Sequence, residues 1–118
     1  MNNKTALLNA DEFVEGECKT FRLADGAYEK ECFIVFKDNE FYAYENSCPH
    51  TGAPLDWMPN QFLSLDKMHI QCSTHHALFR INDGYCVSGP CAGKSLKQLE
   101  VSIYQGGEVI EINGNGSP

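Results

Sequence analysis

The feature that most restricts how this chain can fold is a pair of short motifs set well apart, Cys48-Pro49-His50 and Cys72-Ser73-Thr74-His75. Each offers one thiol and one imidazole within a few residues, and 21 residues, Thr51 to Gln71, lie between the two motifs. Four soft or borderline donors in two compact pairs are a metal-ligand pattern. A single centre using all four requires a fold that folds this long excursion back on itself and sets two loops face to face. The residues alone leave the metal open. A tetrahedral zinc accepts a Cys2His2 set, and so does an iron–sulfur centre.

The rest of the sequence narrows the setting. At 118 residues the chain reads as a single domain, 1–118, with a modest core. It has no apolar run of the roughly 18 residues or more that a membrane span needs. Its N-terminal apolar piece is too short for a signal peptide, so the expectation is a soluble, cytoplasmic protein that is a monomer. In that compartment six cysteines point to metal ligation or free thiols more than to a disulfide scaffold. Cys18 and Cys32 lie in strand-like sequence and read as small buried hydrophobes. Cys86 and Cys91 flank Val-Ser-Gly-Pro, and there a disulfide, two buried thiols or one thiol beside a metal centre all stay open. The net charge of −7 disfavours nucleic acid and anionic membranes and suits a basic partner.

Strand signals dominate. Thr5 to Leu8 and Cys18 to Leu23 read as strands, with a short turn over Asp11 to Val14 and a hairpin signal at Asp25-Gly26. Glu31 to Lys37 is β-branched and aromatic with a near-continuous apolar centre, the pattern of a buried strand. Asp38-Asn39 turns it into Glu40 to Glu45. Met68 to Gln71 should deliver Cys72, and Ala77 to Ile81 and Tyr85 to Val87 should pair across Asn82-Asp83-Gly84. Glu100 to Gln105 and Glu108 to Ile112 form a terminal hairpin, with Val101, Ile103, Val109 and Ile112 as expected core residues. Residues 113–118 read as a flexible tail. Many short strands with almost no helical period predict an all-β sandwich or barrel. Trp57 and Phe62 are expected to cover the region around the metal centre, and His69, outside either motif, reads as a structural or surface histidine.

The two motifs and their surroundings resemble the Rieske proteins. The resemblance rests on Cys48-Pro49-His50-Thr51-Gly52-Ala53-Pro54-Leu55, on Cys72-Ser73-Thr74-His75-His76-Ala77-Leu78-Phe79 with Asp83-Gly84, and on Gly89-Pro90. It implies one [2Fe-2S] cluster, with Cys48 and Cys72 on one iron and His50 and His75 on the other. It also implies an antiparallel β-sandwich or incomplete barrel with a small inserted cluster-binding β subdomain, here about residues 46–92, and a third, proline-containing loop at Gly89-Pro90. High-potential members of the family carry two further cysteines, at positions matching Ala53 and Thr74, and hydroxyls at positions matching Ala77 and Phe79. Their absence here implies a low potential, roughly −150 mV. His76 stands where ferredoxin-like members commonly have glycine. It is a rival ligand in principle, but Cys-x-x-His, not Cys-x-x-x-His, fits the family.

The resemblance implies a soluble one-electron carrier and not an enzyme. It would be a ferredoxin component that takes electrons from a flavin- or iron–sulfur-containing reductase and passes them to a terminal oxygenase. A mononuclear iron site would need two further histidines and a carboxylate, and only His69 and His76 remain, both close to the second motif. The alternatives are a tightly bound small subunit of a larger redox enzyme, such as a nitrite reductase or an oxygenase, a cluster-based sensor and, more remotely, a structural zinc domain.

Overall fold

The computed structural model describes residues 5–25, 28–49, 54–56, 58, 60–72, 76–104, 106 and 109–113. Nine strands follow one another along these residues: β1 (Thr5–Asn9), β2 (Cys18–Asp25), β3 (Tyr28–Lys37), β4 (Glu40–Glu45), β5 (His69–Gln71), β6 (Leu78–Arg80), β7 (Cys86–Ser88), β8 (Gln98–Tyr104) and β9 (Val109–Asn113). A 3-10 turn at Ala10–Glu12 stands where a short turn was expected. Six strands form one antiparallel sheet in the order β1-β9-β8-β4-β3-β2, and three form a second in the order β5-β6-β7. The outermost strands of the large sheet, β1 and β2, approach one another, so the sheet curls into an incomplete barrel.

The β3–β4 hairpin is the spine of the molecule. Its turn, Asp38-Asn39, has φ of 54° and 64°. Two successive left-handed residues make the turn whose twist matches that of paired strands, and Asp and Asn tolerate that region better than most residues. The pairing runs from Lys37↔Glu40 to Cys32↔Glu45. On β3, Cys32, Phe33, Ile34 and Val35 are all fully buried. Successive side chains point to opposite faces, so a continuous apolar run means that both faces are covered.

Each face has its own core. Cys32, Ile34 and Ala43 pack inside the curl with Phe13, Leu23, Leu99, Ile110 and Ile112. Phe33, Val35 and Tyr44 pack on the outer face against the segment that carries the two motifs. There the Phe33 and Phe62 rings stack with centroids 4.0 Å apart. Phe62 therefore covers the core as expected and offers no exposed patch.

The terminal hairpin corrects one expectation. Val101 and Ile112 line the inner core, but Ile103 is exposed and Val109 only half-buried, and Leu99 and Ile110 supply the buried surface instead. The register gives the reason. Val101 pairs with Ile112 and Ile103 with Ile110, which places all four on one face with Ile103 at its open end. Val109 pairs with Tyr104 on the opposite face.

The chain leaves the large sheet after β4 and returns at β8, two strands that are neighbours through Ala43↔Leu99 and Tyr44↔Gln98. The buried residues described between them, including those of the small sheet, pack against the outer face of the spine. In the small sheet Ile70 pairs with Phe79, both fully buried, which turns this face of β5 and β6 towards the same core. Gly26, Trp57, Gly107 and residues 114–118, on which sequence expectations also fell, lie outside the described residues.

Candidate metal centre

The first motif hangs from the end of β4 in a loop closed at its neck by Asn46. The Asn46 N–H donates to the Glu31 carbonyl at 2.9 Å. Its side-chain oxygen accepts from the buried Leu55 N–H at 2.7 Å, and its amide nitrogen donates to Asp56 Oδ1 at 3.1 Å. Asn46 is the one buried polar side chain among the described residues. It joins residues on both sides of the loop. Within that loop Cys48 is 1% exposed.

The second motif is delivered by β5, as its sequence indicates. Cys72 follows Gln71, the last residue of the strand, and is fully buried. Two backbone bonds span the loop that follows: the Cys72 N–H donates to the Ala77 carbonyl and the His76 N–H to the Cys72 carbonyl, both at 2.9 Å. His76 has φ of 56°, in the left-handed region where glycine is at ease and a side chain costs about 1–2 kcal/mol. This is a physical reason for glycine to be common at that position in the family. The His76 imidazole is exposed, with Nδ1 3.0 Å from Gln71 Nε2, so its ring is engaged on the outer surface beside β5. His50, Thr51 to Ala53, Ser73, Thr74 and His75 lie outside the described residues. Of the four candidate ligands, then, the described structure places the two thiols, and it sets both in one buried cluster with Leu55, Ala77 and Phe79. Among the described residues no group of three or more His, Cys, Asp or Glu side chains is arranged to hold a metal ion.

A third loop touches Ala77, just past the second motif, and Cys48 of the first. Gly89 has φ of 101°, and a Cβ there would lie 2.8 Å from the Ala77 Cα. Only a glycine lets the loop approach the backbone behind the second motif so closely. Two residues on, Cys91 is fully buried, and its Sγ lies 3.5 Å from Cys48 Sγ. The loop is self-bonded, with the Ala92 N–H donating to the Gly89 carbonyl at 3.1 Å and the Lys94 N–H to the Cys91 carbonyl at 2.8 Å. No disulfide joins any of the six cysteines, and of the readings left open for Cys86 and Cys91 the structure shows two buried thiols. The Cys86 thiol donates to the Ser88 carbonyl at 3.2 Å.

The remaining titratable groups separate structure from site. Burial pushes the Cys18 and Cys32 thiols up from 9.0 to about 12. Both stay protonated and behave as the small hydrophobes that the sequence indicates. Burial also raises the Tyr44 phenol, whose hydroxyl donates to the Ile81 carbonyl and ties the spine to the turn after β6. His69 is half-buried, and its backbone N–H donates to Ser64 Oγ at 3.2 Å. Asn46 and Tyr44 were not singled out as part of the site from sequence, whereas Cys91 was one of two thiols that could lie beside the metal centre. Only Cys91 carried a signal, its position directly after Gly89-Pro90.

The chain matches the Rieske [2Fe-2S] domain over residues 3–105. It belongs to that family. Its structure is similar to the ferredoxin of carbazole 1,9a-dioxygenase from Nocardioides aromaticivorans IC177, with a TM-score of 0.70, 23% identity and 92% and 95% of the two chains covered. It is also similar to a chain in the complex of reduced oxygenase and oxidized ferredoxin in carbazole 1,9a-dioxygenase, with a TM-score of 0.72, 25% identity and coverage of 96% and 95%. The terminal oxygenase of carbazole 1,9a-dioxygenase from Novosphingobium sp. KA1 matches with a TM-score of 0.76 and 20% identity, but this chain covers only 31% of it. No curated protein matches the chain. Membership of the Rieske family makes the cofactor one [2Fe-2S] cluster, in place of the zinc that the ligand types alone left open. The donor set is compatible with it. Two thiols on separate loops are withdrawn from water into one apolar cluster, where a sulfide-bridged iron pair would be shielded.

Proposed function

We propose that the protein is a soluble, cytoplasmic one-electron carrier, the ferredoxin component of an oxygenase system. Cys48 and Cys72 would hold one iron of the cluster and His50 and His75 the other. The bound cluster supplies a centre that takes up and gives back a single electron. The observation that carries this reading is the Rieske match over residues 3–105, joined to the burial of Cys48 and Cys72 in one apolar cluster. Similarity along 95% of a chain from an oxygenase–ferredoxin complex favours a carrier that visits a terminal oxygenase. A flavin- or iron–sulfur-containing reductase would supply the electron, and the carrier itself would be a monomer. Among the described residues no helix is long and apolar enough to cross a membrane.

The chain's own residues have definable tasks in that role. Asn46 braces the first loop and the bonds across Cys72 to Ala77 brace the second, which limits rearrangement on a change of charge. Leu55, Ala77 and Phe79, all fully buried, exclude water from the inner side of the site. Ala77 and Phe79 bring no hydroxyl to it, which withholds two stabilising donors from the reduced state and favours a low potential. The acidic surface, at a net −7, suits docking to basic patches on partner proteins.

The test is compositional and then kinetic. Iron and acid-labile sulfide should be present at about two each per chain. Cys48→Ser, Cys72→Ser, His50→Ala and His75→Ala proteins should each lose the cluster or change its spectrum. The reduced protein should migrate as a monomer and be reoxidised on mixing with an oxidised Rieske-type oxygenase. Zinc in place of iron, or a stable stoichiometric complex with a larger enzyme, would contradict the reading.

A further inference from the structure

We infer that Cys91 is a positioning residue for the cluster: its thiol donates a hydrogen bond to Cys48 Sγ and sets the reduction potential through it. The inference rests on the proposed ligand role of Cys48. The two sulfurs are 3.5 Å apart in a contact in which either could donate, and both are buried. Metal binding removes that ambiguity. A coordinating cysteine is a thiolate with no proton to give, so the donor is Cys91.

The loop geometry makes this donor a fixed one. Gly89 rests on Ala77, behind the second motif, with no room for a side chain. The Cys86 N–H donates to the Lys94 carbonyl at 2.8 Å and the Lys94 N–H to the Cys91 carbonyl at 2.8 Å. The third loop is thus anchored on the second motif and reaches across to the first with Cys91. The neighbouring Cys86 has a different task, since its thiol bonds within its own strand end to Ser88.

Reduction adds one negative charge that is shared with the ligand sulfurs. A donor to one of them stabilises the reduced state more than the oxidised one and raises the potential. The surroundings, Leu55, Ala77 and Phe79, are apolar and fully buried, so the interaction is poorly screened. Cys91 therefore offsets part of what the missing hydroxyls at Ala77 and Phe79 withhold. A sulfur donor is weak, and one such bond is worth a factor of about three to ten in the reduction equilibrium. A tenfold change is about 59 mV for a one-electron couple.

The experiment is a redox titration of the cluster-loaded wild type beside Cys91→Ala and Cys91→Ser, with iron content and EPR g-values recorded on each. The expected result is a full cluster with unchanged g-values in all three. The potential should drop in Cys91→Ala and recover at least in part in Cys91→Ser, which keeps a donor. An unchanged potential overturns the inference. So does an equal drop in both variants, which makes packing responsible, and so does loss of the cluster from both, which makes Cys91 a ligand. A redox-difference infrared spectrum of the wild type needs no variant and decides the matter if Cys91→Ala does not fold. The S–H stretch should move to lower frequency on reduction, and a band that stays still overturns the inference. Absence of a cluster from the wild type itself would instead refute the ligand assignment.

Discussion

Replacing Asn46 by alanine should loosen the first ligand loop without disturbing the sheet beneath it. The backbone bond from the Asn46 N–H to the Glu31 carbonyl survives the change, because it does not involve the side chain. Two side-chain bonds are lost, to the Leu55 N–H and to Asp56 Oδ1. Leu55 is fully buried, so its N–H is left without a partner or with a water forced into an apolar site. An orphaned buried donor costs about 1–3 kcal/mol, and the half-buried bond to Asp56 adds about 0.5–1 kcal/mol. The sum, about 1.5–4 kcal/mol, is a large share of the roughly 5–15 kcal/mol typical of a domain. Amide hydrogen exchange at Leu55 reads the effect locally, and the rate of cluster release in guanidinium reads it functionally. Both should accelerate in Asn46→Ala. An Asn46→Asp protein keeps the acceptor for Leu55 but sets a carboxylate against Asp56, so it should be intermediate at neutral pH and recover as that pair takes up a proton in acid. Unchanged Leu55 exchange and unchanged cluster release in Asn46→Ala would refute the reasoning.

Three further outcomes are expected. His76→Gly should stabilise the fold by about 1 kcal/mol, because it relieves a left-handed side chain at φ 56° at the loss of an exposed bond to Gln71; a melting temperature several degrees higher is the readout. Gly89→Ala should cost about 2–4 kcal/mol, from a positive φ and a Cβ set 2.8 Å from the Ala77 Cα, and should speed cluster loss. The Cys18 and Cys32 thiols are raised to about 12 in the fold, so the native state holds protons that the unfolded chain releases near pH 9. That stability is present in full below pH 9 and falls away as the pH rises towards 12. A steep alkaline limb in the denaturation profile, shallower in Cys18→Ala, should be seen. Neither thiol should react with iodoacetamide at pH 8 until the protein is unfolded.

Much of this architecture was legible because it depends on local rules. The period-two pattern and the Asp38-Asn39 turn fix the β3–β4 hairpin, and the continuous apolar run from Cys32 to Val35 announces a strand covered on both faces. The motif spacing marks the two loops, while cysteine and histidine by themselves leave open which metal they would hold. What could not be read depends on contacts between distant segments. Nothing near Asn46 in the sequence distinguishes it from any other loop asparagine, since its partners lie across the loop it closes. Cys91 could be suspected of lying near Cys86 by proximity in sequence, but it is the approach of Gly89 to Ala77 that carries it to Cys48 instead. Val109 falls on the opposite face because the faces of a terminal hairpin follow from its pairing register, and Ile103, on the core face, is exposed because it sits at that face's open end. His76 shows the reverse case, a departure noted in sequence that acquired its physical reason from the backbone angle.

The most direct measurement of the central claim is an EPR-monitored redox titration of the purified protein under anaerobic conditions. Coordination by two thiolates and two imidazoles on separate irons should give a Rieske-type signal on reduction, with an average g below that of four-thiolate clusters. It should appear at a potential near the bottom of the Rieske range, about −150 mV. A four-thiolate type of signal, or an EPR-silent protein containing zinc, would contradict the assignment of Cys48, His50, Cys72 and His75 and with it the carrier role.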